Sequence, residues 1–239
     1  TQGEGQVIAI LKGTTPVESA CSGDEIEFLT DKTPFYGESG GQVGDSGQAF
    51  NENVQLELQD ATKPLPGLTV HKAKVIQGTL HAKDTLTLRV NKQTRGDTAL
   101  NHSATHLLHA ALKEVLGEHI KQAGSLVAPN RLRFDYTHFS ALTNKEKIRI
   151  ESRVNEKIRE NIQVSTYEMD IDTAIKEGAM ALFGEKYGET VRVVNGPGFS
   201  KELCGGTHVT ATGDIGLFRI TSEGGIASGV RRIEAVTGA

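Results

Sequence analysis

The chain has 239 residues, 37% of them hydrophobic, and 26 Lys and Arg against 30 Asp and Glu give it a formal net charge of −4. A chain of this length buries roughly three quarters of its unfolded surface, enough for one large domain or two small ones, and its slight acidity argues against tight non-specific nucleic-acid binding while leaving room for a local basic face. No apolar run approaches the roughly 20 residues that span a bilayer, and the N-terminus carries neither a basic region nor an apolar signal stretch, so the sequence reads as a soluble globular protein.

Up to about residue 92 the pattern is one of short alternating runs. "QVIAILK", "EIEFLTD", "VQLELQD", "LTVHKAKVI" and "TLTLRVN" are separated by Gly, Pro, Asn and Asp turn signals. This predicts an all-β, barrel-like subdomain over residues 1–92. Within it "TPFYGESGGQVGDSG" is rich in glycine. It has no G-K-[ST] ending and no strand-to-helix G-x-G-x-x-G context, so it is not a nucleotide loop; tight turns and a substrate-facing loop both remain open.

From residue 93 helical periods alternate with strands. "DTALNHSATHLLHAALKEVLG" predicts a helix that stops at Gly117, and Thr143 with Glu146 forms a capping box at the head of a second helix, "KIRIESRVNEKIREN". "SLVAPNRLRFDY", "IQVSTYEM", "TVRVVNG" and "DIGLFRITSEGG" read as strands. Residues 93–239 are therefore expected to form an α+β subdomain with helices packed on an antiparallel sheet. Residue 1 is Thr and the first methionine is Met169, which points to a segment of a longer chain.

Phased at about 100° per residue, the first helix centres its apolar stripe on Ala104, Ala111 and Val115, with His102, His106, His109 and Lys113 on the opposite flank. Residues four apart on a helix stand one above the other, with Cβ atoms about 5–6 Å apart, so the rings of His102 and His106 can converge on one ion. Taken alone, such a pair reads as a solvated polar face. "KELCGGTHV" changes the weighing, because Cys204 and His208 are again four apart and flanked by glycines. One thiolate and three imidazoles suit a borderline-soft divalent ion, zinc foremost, in tetrahedral coordination. Cys21 lies in unlike surroundings, so no disulfide scaffold is expected and a reducing cytosol fits better. Metalloprotease chemistry is disfavoured, since Ser103 stands where H-E-x-x-H needs its Glu. His109 reads as ordinary surface.

"NHSATHLLHAAL", "CGGTHV", "FYGESGGQVGDSG", "IKQAGSLVAPNRLRFDYTH" and "GVRRIEAVTG" together resemble the editing domain of bacterial alanyl-tRNA synthetase and the related AlaX trans-editing proteins. The resemblance runs from about residue 30 to the C-terminus and, more loosely, over the strands before it. It implies hydrolysis of the ester joining serine or glycine to the 3′-terminal adenosine of alanine tRNA. It also implies Zn2+ held by His102, His106, Cys204 and His208, pocket roles for Thr105 and Gln122, the tRNA acceptor end and the remaining synthetase domains as partners, and a cytoplasmic setting. A four-ligand zinc site is closed, which leaves two mechanisms open. In one, zinc orients the substrate while a separate water attacks, with backbone N–H groups near Gly205 and Gly206 as an oxyanion site; in the other, a loose ligand, His208 or Cys204, yields its place to a water. The alternatives are a structural-zinc tRNA-binding module and a free-standing AlaX-type deacylase. A related editing domain acting on threonine tRNA shares the His and Cys motifs but is not expected to carry the Gly-rich β half. Lys121, Arg131, Arg133, Arg231 and Arg232 are candidate phosphate contacts, set against a plain solvated surface.

Overall fold

The computed structural model describes residues 1–181 and 188–238. By its contacts the chain separates into two compact units, one of Thr1–Ser39 with Val43–Arg95 and one of Gly40–Gln42 with Gly96–Ala239.

The first unit is the expected β structure, closed into a barrel. Its strands are β1 (Gln2–Lys12), β2 (Thr15–Val17), β3 (Ser19–Cys21), β4 (Glu25–Thr30), β5 (Gly47–Phe50), β6 (Val54–Leu65), β7 (Leu68–His81) and β8 (Thr85–Val90). Six of them pair in the order β1-β4-β7-β6-β5-β8, and β8 pairs back onto β1, so the sheet closes with every pairing antiparallel. The short β2 and β3 add to β1 and β7. Closure follows from the two-residue period of the sequence. In β6, Val54, Leu56 and Leu58 are buried while Gln55 and Glu57 are exposed, and Ile26, Phe28, Leu86 and Leu88 fill the same interior.

The second unit is α+β. Its helices are α1 (Lys92–Leu116), α2 (Asn144–Arg159) and α3 (Ile171–Lys176), and its strands are β9 (Gln122–Ala128), β10 (Arg131–Thr137), β11 (Ser165–Asp170), β12 (Thr190–Gly196), β13 (Ser200–Leu203), β14 (Leu217–Ala227) and β15 (Val230–Gly238). They form two antiparallel sheets, ordered β14-β15-β10-β9 and β11-β12-β13. Leu107, Leu108, Leu112, Ile150, Val154, Phe134, Tyr136, Phe218 and Ile233 form the core that joins α1 and α2 to the four-stranded sheet. The α2 capping box is present, with Thr143 Oγ1 accepting from the Glu146 N–H at 3.2 Å and Glu146 Oε2 accepting from the Thr143 N–H at 2.7 Å. Helix α1 begins five residues earlier than its apolar phase indicates. The Asn91 side chain caps it, accepting from the N–H groups of Gln93 and Thr94 at 3.1 Å each.

One expectation for α1 fails. Its histidine flank is not solvated: His102, His106 and His109 are buried, with Ser103 and Thr105 beside them, and Lys113 is half-buried; on the apolar stripe Ala104 and Ala111 are buried and Val115 is half-buried. His109, read from the sequence as surface, is 6% exposed and packs its ring on Phe134 at 5.3 Å between centroids. The apolar stripe marks one buried face, and the second sheet with the segment after it covers the other. Among the described residues no helix is long and apolar enough to cross a membrane.

Candidate metal centre

The middle of α1 and the turn after β13 supply the donors. His102 and His106, one turn apart, meet edge to face with centroids 5.3 Å apart, and the His208 ring lies 4.3 Å and 4.7 Å from them. Ligand atoms of His102, His106, Cys204 and His208 all lie within 4.8 Å of one another. Cys204 Sγ is 3.3 Å from the Nε2 atoms of both His102 and His208. A tetrahedral zinc with bonds of about 2.0–2.3 Å requires N···S edges of roughly 3.5 Å, so the donor set and its spacing fit such an ion.

His102 and His208 are hydrogen-bonded at their other nitrogen, and His106 faces a carboxylate there. Gln42 Oε1 accepts from His102 Nδ1–H at 2.6 Å, and also from the Thr207 N–H at 2.9 Å and the Thr207 hydroxyl at 3.2 Å. An amide oxygen only accepts, so His102 carries its proton on Nδ1 and turns the Nε2 lone pair to the cluster. His208 Nδ1 meets Ser103 Oγ at 3.1 Å, and that oxygen accepts the Val209 N–H at 3.1 Å. His106 Nδ1 faces Glu202 Oε2 at 3.6 Å. Outer partners of this kind fix ring orientation and tautomer around a metal.

Two glycines are demanded by the local geometry. Gly41 adopts φ +83°, and its carbonyl accepts the Val127 N–H at 2.7 Å, which lays Gly40–Gln42 along β9 and aims Gln42 at His102. A Cβ on Gly206 would collide with the His102 ring and lie 2.8 Å from Gln42 Oε1. Arg192 of β12 donates to the carbonyls of Cys204 at 3.0 Å and Gly206 at 2.7 Å, pinning the turn that presents the thiol.

The electrostatics follow from burial and mutual contact. Burial opposes a Cys204 thiolate, but the facing His102, His106 and His208 outweigh it and hold the thiol well below its ordinary value. Burial likewise opposes a charged His106, yet the Glu202 carboxylate and Cys204 prevail and raise it to about 9. His208 is pushed down to about 3, chiefly by burial.

Residues 1–94 match a family described as tRNA synthetases class II (A), and residues 191–234 match the threonyl and alanyl tRNA synthetase second additional domain. Over 98% of its length the chain is 57% identical to the alanine–tRNA ligase of Xanthomonas campestris pv. campestris. It is 58% identical, over the same share, to those of Xanthomonas oryzae pv. oryzae and Xanthomonas axonopodis pv. citri. The chain is similar to a segment of alanine–tRNA ligases. It spans about a quarter of the length of these relatives, 26% of each, and the part it covers includes the second additional domain.

The other residues to which the sequence points are placed as follows. Thr105 is buried on α1 and its hydroxyl donates to the Asn101 carbonyl at 2.9 Å. Gln122, half-buried at the start of β9, donates through Nε2 to Ser125 Oγ at 3.4 Å. Gly205 is exposed with open space around it, whereas Gly206 is buried and directs its N–H at Cys204 Sγ, 3.4 Å away. The arginines proposed as phosphate contacts face carboxylates. Arg232 grips Asp135 at 2.7 and 2.8 Å, Arg231 meets Glu223 at 2.5 Å, Arg133 lies 3.6 Å from Asp135, and Arg131 lies 3.9 Å from Glu234. Lys121 is exposed.

Sequence reasoning missed Gln42, Glu202 and Arg192 and met Ser103 only as a departure from another motif. Outer partners follow no spacing rule, and the one available signal is a long polar side chain set among glycines, as at Gln42; Glu202 lies in the mostly polar run Ser200–Leu203 and gives none. A larger cavity of about 610 Å³, lined by Lys113, Arg153, Phe199 and Lys201 among others, reaches none of the four donors.

Proposed function

We propose that this chain edits mischarged alanine tRNA, hydrolysing the ester that joins serine or glycine to the 3′-terminal adenosine, with Zn2+ held by His102, His106, Cys204 and His208. The observation that carries this reading is the cluster itself, buried at His102 and His106 and half-buried at Cys204 and His208, in which one thiol and three imidazoles converge and each ring has a polar partner outside the cluster. When bound, zinc supplies positive charge beside the ester carbonyl and the anionic 3′ end.

The chain's own residues do the rest. Four protein donors around one ion would close the site, which favours a role in positioning the substrate over opening a ligand position to water. Gly205, exposed at the tip of the Cys204–His208 turn, offers a backbone N–H toward a developing oxyanion, while Gly206 directs its N–H to the thiolate and lets the turn approach His102 closely. Thr105 spends its proton on the Asn101 carbonyl and keeps lone pairs that can accept from the hydroxyl of a seryl group. A site that hydrogen-bonds a substrate hydroxyl rejects the analogue lacking it by roughly 10⁴ or more, which is the direction needed to spare alanine. Gln122 is a second polar group for the same pocket. The acceptor end of alanine tRNA and the other parts of an alanine–tRNA ligase are the partners, in the cytoplasm.

A second reading, a structural-zinc module that only presents the acceptor end, is favoured by the same closed donor set. A deacylation assay separates the two. Editing requires faster release from seryl-tRNA(Ala) than from alanyl-tRNA(Ala), and a presenting module releases neither.

A further inference from the structure

Glu202 lies on β13, two residues before Cys204, and is 2% exposed. Its two oxygens face two different rings of α1. Oε2 is 3.6 Å from His106 Nδ1 and Oε1 is 3.6 Å from His109 Nδ1, while the Ser200 hydroxyl donates to Oε1 at 3.2 Å. Among the described residues these imidazoles are its only ion-pair contacts. His109 Nδ1 is in turn a buried nitrogen with no hydrogen-bond partner of its own.

A buried carboxylate held by one neutral hydroxyl needs a compensating positive charge. One divalent cation among one thiolate and three neutral imidazoles leaves a single positive charge inside the same buried cluster. The carboxylate cancels it. The carboxylate also stands on the far side of His106 from the other donors, where an acceptor fixes the proton on Nδ1 and leaves Nε2 to the centre. His109, which reaches no donor of the cluster, closes on the opposite oxygen and keeps the carboxylate from turning away.

We propose that Glu202 is a positioning and charge-balancing residue of the metal centre, holding His106 by Nδ1 and itself held by His109. This rests on the reading of the four-residue cluster as a divalent-cation site. His109 is then not a spare ligand but the support of that carboxylate.

The test is Zn2+ affinity by competition with a chromophoric chelator, with the visible spectrum of the Co2+-substituted protein, in wild type, Glu202→Gln, Glu202→Ala and His109→Leu. Expected for Glu202→Ala is a loss of about 10- to 100-fold in affinity. Glu202→Gln, which keeps an acceptor without the charge, should fall between it and wild type, and both variants should shift the Co2+ bands. His109→Leu should keep one ion per chain with a smaller loss. Wild-type affinity and an unchanged Co2+ spectrum in both Glu202 variants, with only the metal-free melting temperature lowered, would make Glu202 a fold residue and overturn the proposal. Should wild type bind neither Zn2+ nor Co2+, the cation-site reading fails and this proposal falls with it, an outcome that the wild-type titration alone identifies.

Discussion

Gln42 Oε1 sits 2.6 Å from His102 Nδ1. A side chain from the glycine-rich segment near residue 40 thereby sets the tautomer of a histidine sixty positions further along. The same oxygen gathers both donors of Thr207, so one buried amide ties the helix to the turn that carries Cys204 and His208. Gln42→Leu removes the acceptor and strands the Thr207 N–H. Expected are a loss of about 10- to 100-fold in Zn2+ affinity and about 1–3 kcal/mol of stability. Chelator competition and denaturant unfolding check the two effects separately, and wild-type metal affinity in Gln42→Leu would remove Gln42 from the centre.

The glycines after Cys204 should behave oppositely. A methyl on Gly206 runs into the His102 ring and Gln42, whereas a methyl on Gly205 meets nothing within 4 Å. Gly206→Ala is expected to displace His102, cost about 1–3 kcal/mol as an overpacking change and weaken metal binding. Gly205→Ala should stay within about 0.5 kcal/mol of wild type. Metal content and melting temperature of the two variants, side by side, decide it; equal behaviour would contradict the close approach.

Thr105→Val tests selectivity without changing side-chain shape much. The fold loses only the bond to the Asn101 carbonyl, about 1 kcal/mol. Expected is a drop of at least tenfold in the preference for seryl- over alanyl-tRNA(Ala). Undiminished discrimination would leave the Thr105 hydroxyl with its helical bond as its only task.

A pH prediction comes from the barrel. His71 is fully buried, donates through Nδ1 to the Phe28 carbonyl at 3.2 Å, meets Thr33 Oγ1 at 2.8 Å through Nε2, and stacks on Phe28 at 4.9 Å. Burial lowers it to about 4, so the fold prefers the neutral ring. The unfolded ring takes a proton near pH 6.5 and the folded one only near 4. Stability from this group is therefore complete above 6.5 and is lost as pH falls toward 4, by about 2 kcal/mol at pH 5 and roughly 3 in all. Unfolding midpoints at pH 7.5 and 5 should show that fall in wild type and a smaller one in His71→Gln. An equal fall in both would assign the acid sensitivity elsewhere.

Much of this was legible in the residues, for identifiable reasons. The barrel announces itself through strict alternation in β4, β6 and β8, and α2 through the Thr143–Glu146 box, because both signals are local. The four donors were legible because helical repeat and a tight glycine turn each impose a spacing of four. The burial of His109 was not, because a hydrophobic stripe identifies one covered face and is silent about a second face covered by polar partners. Gln42, Glu202 and Arg192 were hidden for a related reason. They act through hydrogen bonds or charges whose partners across the site lie 12 to 165 positions away in sequence, and no periodicity encodes such a match. The short β13 that carries Glu202 lacks the length to stand out from the turn it enters.

The most direct test of the central claim is the rate at which the zinc-loaded chain releases the amino acid from seryl-tRNA(Ala), measured beside alanyl-tRNA(Ala) and beside Cys204→Ala. Expected are about one zinc per chain, serine released much faster than alanine, and loss of both metal and activity in Cys204→Ala. Equal hydrolysis of the two tRNAs, or full activity in Cys204→Ala with the zinc gone, would contradict it.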